Sequence, residues 1–309
     1  MTDTKKVTIK RNWKRIIMLY IMMLPGLAYL LINNYIPMFG VVIAFKKLNF
    51  RDGILGSPWS GFDNFKFLFS SSDAWIIIRN TIGYNIVGII LGIVFGLLLA
   101  IMLNEITNKL SQKFYQSMIL LPYLMSWVIV SYLTFAFLSA DSGLINNLLK
   151  SMGINPIAWY NEPKYWPFIL VFANIWKSIG YGMIVYYASL VGISMEYYEA
   201  ARLDGASKWQ QIKDITLPLM KPTVITMMIL NIGNIFRSDF GLFYQLPRNS
   251  GALYDVTRTL DVYVYNALMR NNDFGMSSAA SFIQSVVGLV LIVAANWLVR
   301  KYNEENALF

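Results

Sequence analysis

Residues 196–218 read Glu196-Tyr-Tyr-Glu199-Ala200-Ala201-Arg202-Leu203-Asp204-Gly205-Ala206-Ser207-Lys208-Trp209-Gln210-Gln211-Ile212-Lys213-Asp214-Ile215-Thr216-Leu217-Pro218. The stretch divides into two short helices at a turn. Tyr197–Leu203 is made of good helix formers. Asp204-Gly205 breaks it, because Gly205 enters positive φ without a Cβ penalty. Ser207 is placed to cap the next helix, and Gln210, three residues on, completes a capping box. Pro218 marks where the loop returns to the membrane. The small Ala200 and Ala201 permit close approach by another surface, which suits docking into a partner's groove. On these residues alone, a solvated helix without a partner is the alternative.

Moving outward, the stretch lies between two apolar runs, and the chain holds six of them: Ile16–Ile36, Ile76–Leu103, Phe114–Leu138, Trp166–Leu190, Thr223–Phe236 extended at both ends, and Ser277–Val299. Roughly 20 apolar residues cross the ~30 Å hydrocarbon core. The fifth run is the weakest, being interrupted by Asn231, Asn234 and Arg237. Composition agrees: 56% of the 309 residues are hydrophobic and 14% charged, against about 25% charged in soluble domains. Such a chain cannot cover a water-facing surface, so an all-α polytopic membrane bundle of six transmembrane helices follows. No interior linker rich in Pro, Ser or charge divides it, so residues 1–309 read as one transmembrane domain. Cys and His are absent. That excludes disulfides, thiolate nucleophiles, Cys/His zinc sites and Ser–His or Cys–His catalytic pairs. No catalytic residue, metal or cofactor is expected.

Basic residues set the orientation. Lys5, Lys6, Lys10, Arg11, Lys14 and Arg15 precede the first run, which has no small-residue cleavage site after it and reads as an uncleaved signal anchor. With the N-terminus inside, segments 1–15, 104–113, 194–221 and 300–309 carry 14 Lys and Arg in 63 residues, whereas outer segments 45–79, 139–165 and 237–276 carry 11 in 102. Both termini are therefore expected in the cytoplasm of a multi-pass cell-membrane protein. The net charge of +9 is read as loop Lys and Arg, with no nucleic-acid partner. Loops 45–75, 139–165 and 239–276 face outward and loop 194–221 inward. The first of these holds Phe50, Trp59, Phe62, Phe65, Phe67 and Phe69, and such aromatics more often anchor at an interface than contact ligand. In Ser142–Met152, residues Leu144, Ile145, Leu148, Leu149 and Met152 share one face of a short amphipathic helix.

Glu199-Ala200-Ala201, Gly205, Ile215 and Leu217-Pro218 resemble, at every spacing, the signature loop of binding-protein-dependent ABC permeases. Other stretches are similar to the oligo- and polysaccharide branch: Tyr35-Ile-Pro37-Met-Phe-Gly40 with Ala44-Phe45, Gly56-Ser57-Pro58-Trp59 with Gly61-Phe62 and Asn64-Phe65, Asn80-Thr81, Leu103-Asn104-Glu105 and Trp176-Lys177-Ser-Ile-Gly180. Leu120-Leu-Pro-Tyr-Leu-Met-Ser-Trp127 departs from that branch's usual aromatic and polar residues. The resemblance implies the type I ABC importer permease (MetI-like) fold. It also implies that the 194–221 loop is a coupling helix inserting into a cleft of a cytoplasmic ATPase. Glu199 would face a basic residue there, Gly205 would supply the bend, and Asp204 belongs to the same element. The implied partners are a second homologous permease in a heterodimer, two copies of the ATP-binding subunit, an extracytoplasmic solute-binding lipoprotein and an oligosaccharide. The chain has no Gly-x-x-x-x-Gly-Lys-Ser/Thr loop to cradle ATP phosphates, so hydrolysis falls to the separate subunit.

Polar residues inside the spans are costly and often functional. Asn174, Lys177 and Tyr181 lie at i, i+3 and i+7 in the fourth run, and Asn231, Asn234 and Ser238 repeat that spacing in the fifth, with Arg237 and Asp239 nearby. Each set would form one helical face. These residues are candidates for a substrate path, with Trp176, Tyr186 and Tyr187 as stacking partners, or for interhelical hydrogen bonding. Gly88, Gly92 and Gly96 form a ridge that would pack against the partner permease or within the subunit. A non-sugar solute or a stand-alone secondary transporter are the alternatives. The near absence of Asp and Glu from the spans argues against ion coupling, and against a membrane-embedded enzyme.

Overall fold

The computed structural model describes residues 13–66 and 72–302, together with 304, 307 and 308. Lys5, Lys6, Lys10, Arg11, Phe67 and Phe69 lie outside the described residues, as does the Arg15 side chain. Among the described residues, five helices are long and apolar enough to cross a membrane, and a bent pair makes a sixth span when its halves are counted together. The first span, Ile16–Phe45, opens with α1 (Trp13–Leu30) and continues through a π turn at Leu31–Tyr35 to a 3-10 segment, Phe39–Phe45. α2 is Ser72–Asn104, α3 Lys109–Leu124, α4 Trp127–Leu138, α5 Leu144–Ser151 and α6 Trp166–Val191. α7 (Met195–Leu203) and the long α8 (Lys208–Gly233) follow, then α9 (Leu260–Asn271) and α10 (Phe274–Tyr302).

The third run is not the continuous helix that its apolarity predicts. It breaks between α3 and α4 with a 93° bend. Pro122 has no N–H to give to the preceding turn, and Met125 leaves the helix in an extended conformation (ψ 141°). Ser126 then accepts the Ile129 N–H as a new N-cap. The fifth run is also redrawn. Its helix extends backward through the loop to Lys208 and stops at Gly233, so Phe236 lies beyond it. Pro218 does not interrupt this helix. It sits in the first turn of Leu217–Gly233, directly after a π turn at Ile212–Thr216. A π turn widens the backbone locally, where a missing N–H is accommodated.

α2 and α6 form the most extensive helix pair, with α3 laid against α6 and α8 against α10. α3 approaches α6 so closely that a Cβ on Gly180 would lie 2.4 Å from the Ile119 carbonyl oxygen, the close contact that small residues allow between membrane helices. Two apolar clusters hold the ends. Val130, Trp166, Leu170, Leu242, Leu246 and Leu253 pack at one end. Ala100, Leu103, Met183, Tyr186, Leu190 and Met220 pack beside the 194–221 loop. α5 is the predicted short helix, but Leu144, Leu148 and Met152 point outward while Asn146 is fully buried. Asn146 donates to the Ser139, Ala140 and Ile157 carbonyls and accepts from the Ile157 N–H and the Trp159 indole, so it pins the 139–165 loop. Gly88 and Gly96 of the predicted ridge pack within the subunit, whereas Gly92 between them has nothing within 4 Å. A Cβ on Gly88 would meet Asn174 Nδ2 at 3.1 Å, and one on Gly96 the Tyr186 ring at 3.0 Å.

Candidate functional site

α7 starts at Ser194, whose hydroxyl accepts the Glu196 N–H. It ends at Asp204, whose N–H bonds the Ala200 and Arg202 carbonyls. Gly205 follows at φ 79°, left-handed backbone that an L side chain adopts only under strain. The Ala206 N–H then closes back on the Ala201 carbonyl at 2.9 Å. The capping box is complete: the Ser207 N–H donates to Gln210 Oε1 at 2.7 Å and the Gln210 N–H to Ser207 Oγ at 3.4 Å. Buried Gln211 donates to the Ala206 carbonyl at 2.9 Å, and the Tyr198 and Thr216 hydroxyls bond at 2.9 Å. Lys208 pairs with Glu105 beyond the end of α2 at 2.6 Å. The backbone of the bend is therefore fixed by contacts within the chain.

The side chains are the opposite. Glu199 and Ala200 are exposed and Ala201 half-buried, while Ile215 is half-buried and Leu217 and Pro218 exposed. Leu203 is 89% exposed, with Trp209, Met195 and Tyr197 exposed around it. Beneath them a hollow of about 210 Å³ is walled by Glu105, Tyr198, Arg202, Lys208 and Gln211. Leu203 and Trp209 carry a signal that the spacing argument passed over: large apolar side chains in an otherwise polar loop.

Within the spans, Asn174, Tyr181 and Asn231 come together around a cavity of about 260 Å³ between α2, α6 and α8, joined by Asn85, Ser178 and Tyr186. Asn85 was not singled out by spacing. Its amide donates to the Thr81, Ile235 and Arg237 carbonyls and so ties α2 to the end of α8. Lys177 lies at the α3–α4 bend instead. Its ammonium donates to the Tyr123 carbonyl at 3.1 Å and sits over the Tyr123 and Trp127 rings at 5.5 and 5.1 Å. Tyr123 in turn stacks on Tyr181 at 5.3 Å. The single helical face expected for Asn231, Asn234 and Ser238 does not form, because α8 ends at Gly233. Asn234 is its C-cap, and its amide folds back on the Leu230 carbonyl. Ser238 bonds Asp261 and Thr259, and Arg237 reaches the Ser285 hydroxyl at 3.4 Å. Of the proposed stacking partners, Tyr186 reaches the cavity, Tyr187 packs with the inner cluster, and Trp176 lines an apolar hollow with α4.

Residues 92–304 match the model of the family described as binding-protein-dependent transport system inner membrane component. The chain is 34% identical over 306 residues to Protein LplB of Bacillus subtilis, covering 99% of this chain and 96% of that protein. It is 36% identical over 288 residues to the polygalacturonan/rhamnogalacturonan transport system permease protein YteP of the same organism, covering 93% and 89%. Its structure is similar, with a TM-score of 0.83 and 32% identity over 94% of this chain and 96% of the other, to a chain in the crystal structure of a bacterial alginate ABC transporter in complex with an alginate pentasaccharide-bound periplasmic protein.

Proposed function

The chain belongs to the family of binding-protein-dependent transport system inner membrane components, and we propose that it is the permease subunit of an ATP-driven importer that passes a binding-protein-delivered oligosaccharide across the cell membrane. Residues 1–309 act as one permease domain with both termini in the cytoplasm. The observation that carries the reading is the 194–221 loop. Its polar backbone is satisfied from within, yet it presents Leu203, Trp209 and Tyr197 to the outside. A rigid bend with exposed apolar side chains fits the groove of a partner, here an ATPase subunit present in two copies. Glu199, Ala200, Ala201, Asp204, Gly205, Ile215, Leu217 and Pro218 make up that coupling surface.

A second, homologous permease completes the pore. In support, none of the most apolar stretch of Ile16–Phe45 is buried in this subunit, and the span meets the bundle chiefly through Phe39–Phe45 against α10. The cavity holding Asn174, Tyr181 and Asn231 forms the inner part of the substrate path. Lys177 on the α3–α4 bend and Asn234, Arg237 and Ser238 after α8 do not line that cavity and are assigned to the continuation of the path beyond it. In reconstituted assemblies, Glu199→Lys and Gly205→Val should each lower saccharide-stimulated ATP hydrolysis by about tenfold or more while the subunit still inserts. Stimulation at the unsubstituted level in both variants would remove the loop from the coupling step.

A further inference from the structure

Arg248 lies between two cavities beside α4, and its side chain joins none of the ion pairs among the described residues. The guanidinium sits over the Phe135 ring at 4.2 Å. One cavity, of about 240 Å³, is walled by Ser131, Tyr132, Tyr244 and Gln245. The other, of about 340 Å³, is walled by Asp141, Tyr160 and Asn161, and Asp141 makes no ion pair with the guanidinium. Among the described residues, two buried side-chain atoms lack a hydrogen-bond partner: the Tyr160 hydroxyl and Asn249 Oδ1, one on each cavity wall. Burial pushes the Tyr160 phenol up to about 12, against the pull of Arg248, so it stays a neutral donor.

The backbone here is also unusual. Arg248 and Asn249 both hold left-handed conformations, at φ 55° and 49°. Asn enters this region readily, but Arg248 holds it only at a cost, so the strain of the kind found at ligand clamps sits on Arg248. The Arg248 N–H bonds the Gln245 carbonyl and the Asn249 N–H the Tyr244 carbonyl, both at 3.0 Å, which closes the turn, and the Ser131 hydroxyl of α4 donates to the Gln245 carbonyl at 2.6 Å, which ties it to α4. Lys177 stands over Trp127, at the start of α4, eight residues before Phe135. That is about 12 Å along a helix. One side of α4 is thus flanked by two cations stacked on rings, each without a carboxylate. Hydroxyls, amides and aromatic faces suit a saccharide, and an unpaired planar guanidinium suits a carboxylate on it, since its fork matches both oxygens.

Within the permease role set out above, which it presupposes, we propose that Arg248 is the carboxylate-binding residue of a subsite for acidic oligosaccharides, those built from uronic acids. Phe135 holds the guanidinium flat, Tyr160 and Asn249 supply the flanking polar atoms, and Lys177 receives a second carboxylate further along α4. Neutral sugars of the same size fit the space but leave the guanidinium unpaired.

The assembled importer in nanodiscs, without its binding protein, provides the test. The probes are a galacturonic acid trisaccharide and its fully methyl-esterified form, with binding read by ligand-observed NMR. The unsubstituted assembly should bind the acid at least about tenfold more tightly than the ester, as a charge-assisted bidentate contact requires. Arg248→Gly removes the charge and suits the left-handed backbone, so the fold is preserved. It should weaken acid binding by about tenfold and leave the ester within about twofold. Arg248→Lys should restore part of the loss. Equal affinity for acid and ester in the unsubstituted assembly would overturn the proposal, as would an Arg248→Gly variant that weakens both equally or releases the second permease. Nucleotide-driven uptake, measured in parallel with the binding protein present, reports on the permease role by itself. Uptake that survives with no preference for the acid rejects only the subsite, whereas no uptake of any oligosaccharide rejects the permease role.

Discussion

The 194–221 loop and the 237–258 segment are both irregular connections beside long helices, and they are built on opposite principles. The first satisfies its polar groups and exposes its apolar ones: the Ser207–Gln210 box, Gln211 and the Tyr198–Thr216 pair close the backbone, while Leu203 and Trp209 face out. The second buries its apolar groups, Leu242, Phe243, Leu246 and Leu253, and leaves the buried Tyr160 hydroxyl and Asn249 Oδ1 without hydrogen-bond partners, beside an exposed Arg248 that joins no ion pair among the described residues. A surface that lacks only apolar cover is ready for a protein. A pocket that lacks only polar partners is ready for a hydroxyl-rich or charged small molecule. On the function proposed above, the difference corresponds to a macromolecular partner at one end of the bundle and a ligand at the other.

The contrast can be broken most forcefully at Gly241. A Cβ there would stand 2.2 Å from Trp127 Cδ1, because the outer segment is packed hard onto α4. Gly241→Ala should cost about 3 kcal/mol, the upper end for overpacking, measured by reversible unfolding in mixed micelles. A variant as stable as the parent would show that the outer segment is loosely held, and the contrast would fail. Ser207→Ala, in the inner loop, should cost about 1 kcal/mol through loss of the N-cap. Its larger signature should be local: faster amide hydrogen exchange at residues 208–211 with the spans unaffected. Unchanged exchange would mean that the bend does not depend on its cap. Tyr160→Phe should have the smallest effect. Removing an unpartnered buried hydroxyl leaves stability unchanged or raises it by up to about 1 kcal/mol. A loss of more than that would show that the hydroxyl has a partner in solution, and the outer segment would no longer count as unmatched.

Much of the architecture is legible in the sequence because lipid imposes a length on apolar runs. Ser207, Gln210 and Gly205 were legible as well, since capping and left-handed turns depend on residues a few positions apart. The α3–α4 break was not, because Ile119–Leu138 is apolar on both sides of Met125 and a hydropathy pattern does not register a 93° bend. Pro122 and Ser126 were the available signals. The repeated Asn231, Asn234 and Ser238 spacing misled for a related reason: periodicity assumes a helix, and α8 ends at Gly233. Asn85 and Arg248 were beyond sequence reasoning. One matters for three carbonyls up to 152 positions away, and the other for ion pairs it does not make.

Because the chain has no cysteine, Leu203→Cys gives a single labelling point at the most exposed large apolar side chain of the inner bend. The decisive measurement is the rate at which a membrane-impermeant maleimide reacts with this variant, in inverted vesicles, before and after the ATPase subunits are added. Occupation of the bend by those subunits should slow the reaction by at least about tenfold, with a further change on nucleotide binding. An unaltered rate in an assembly that contains the ATPase would contradict the coupling role of residues 194–221.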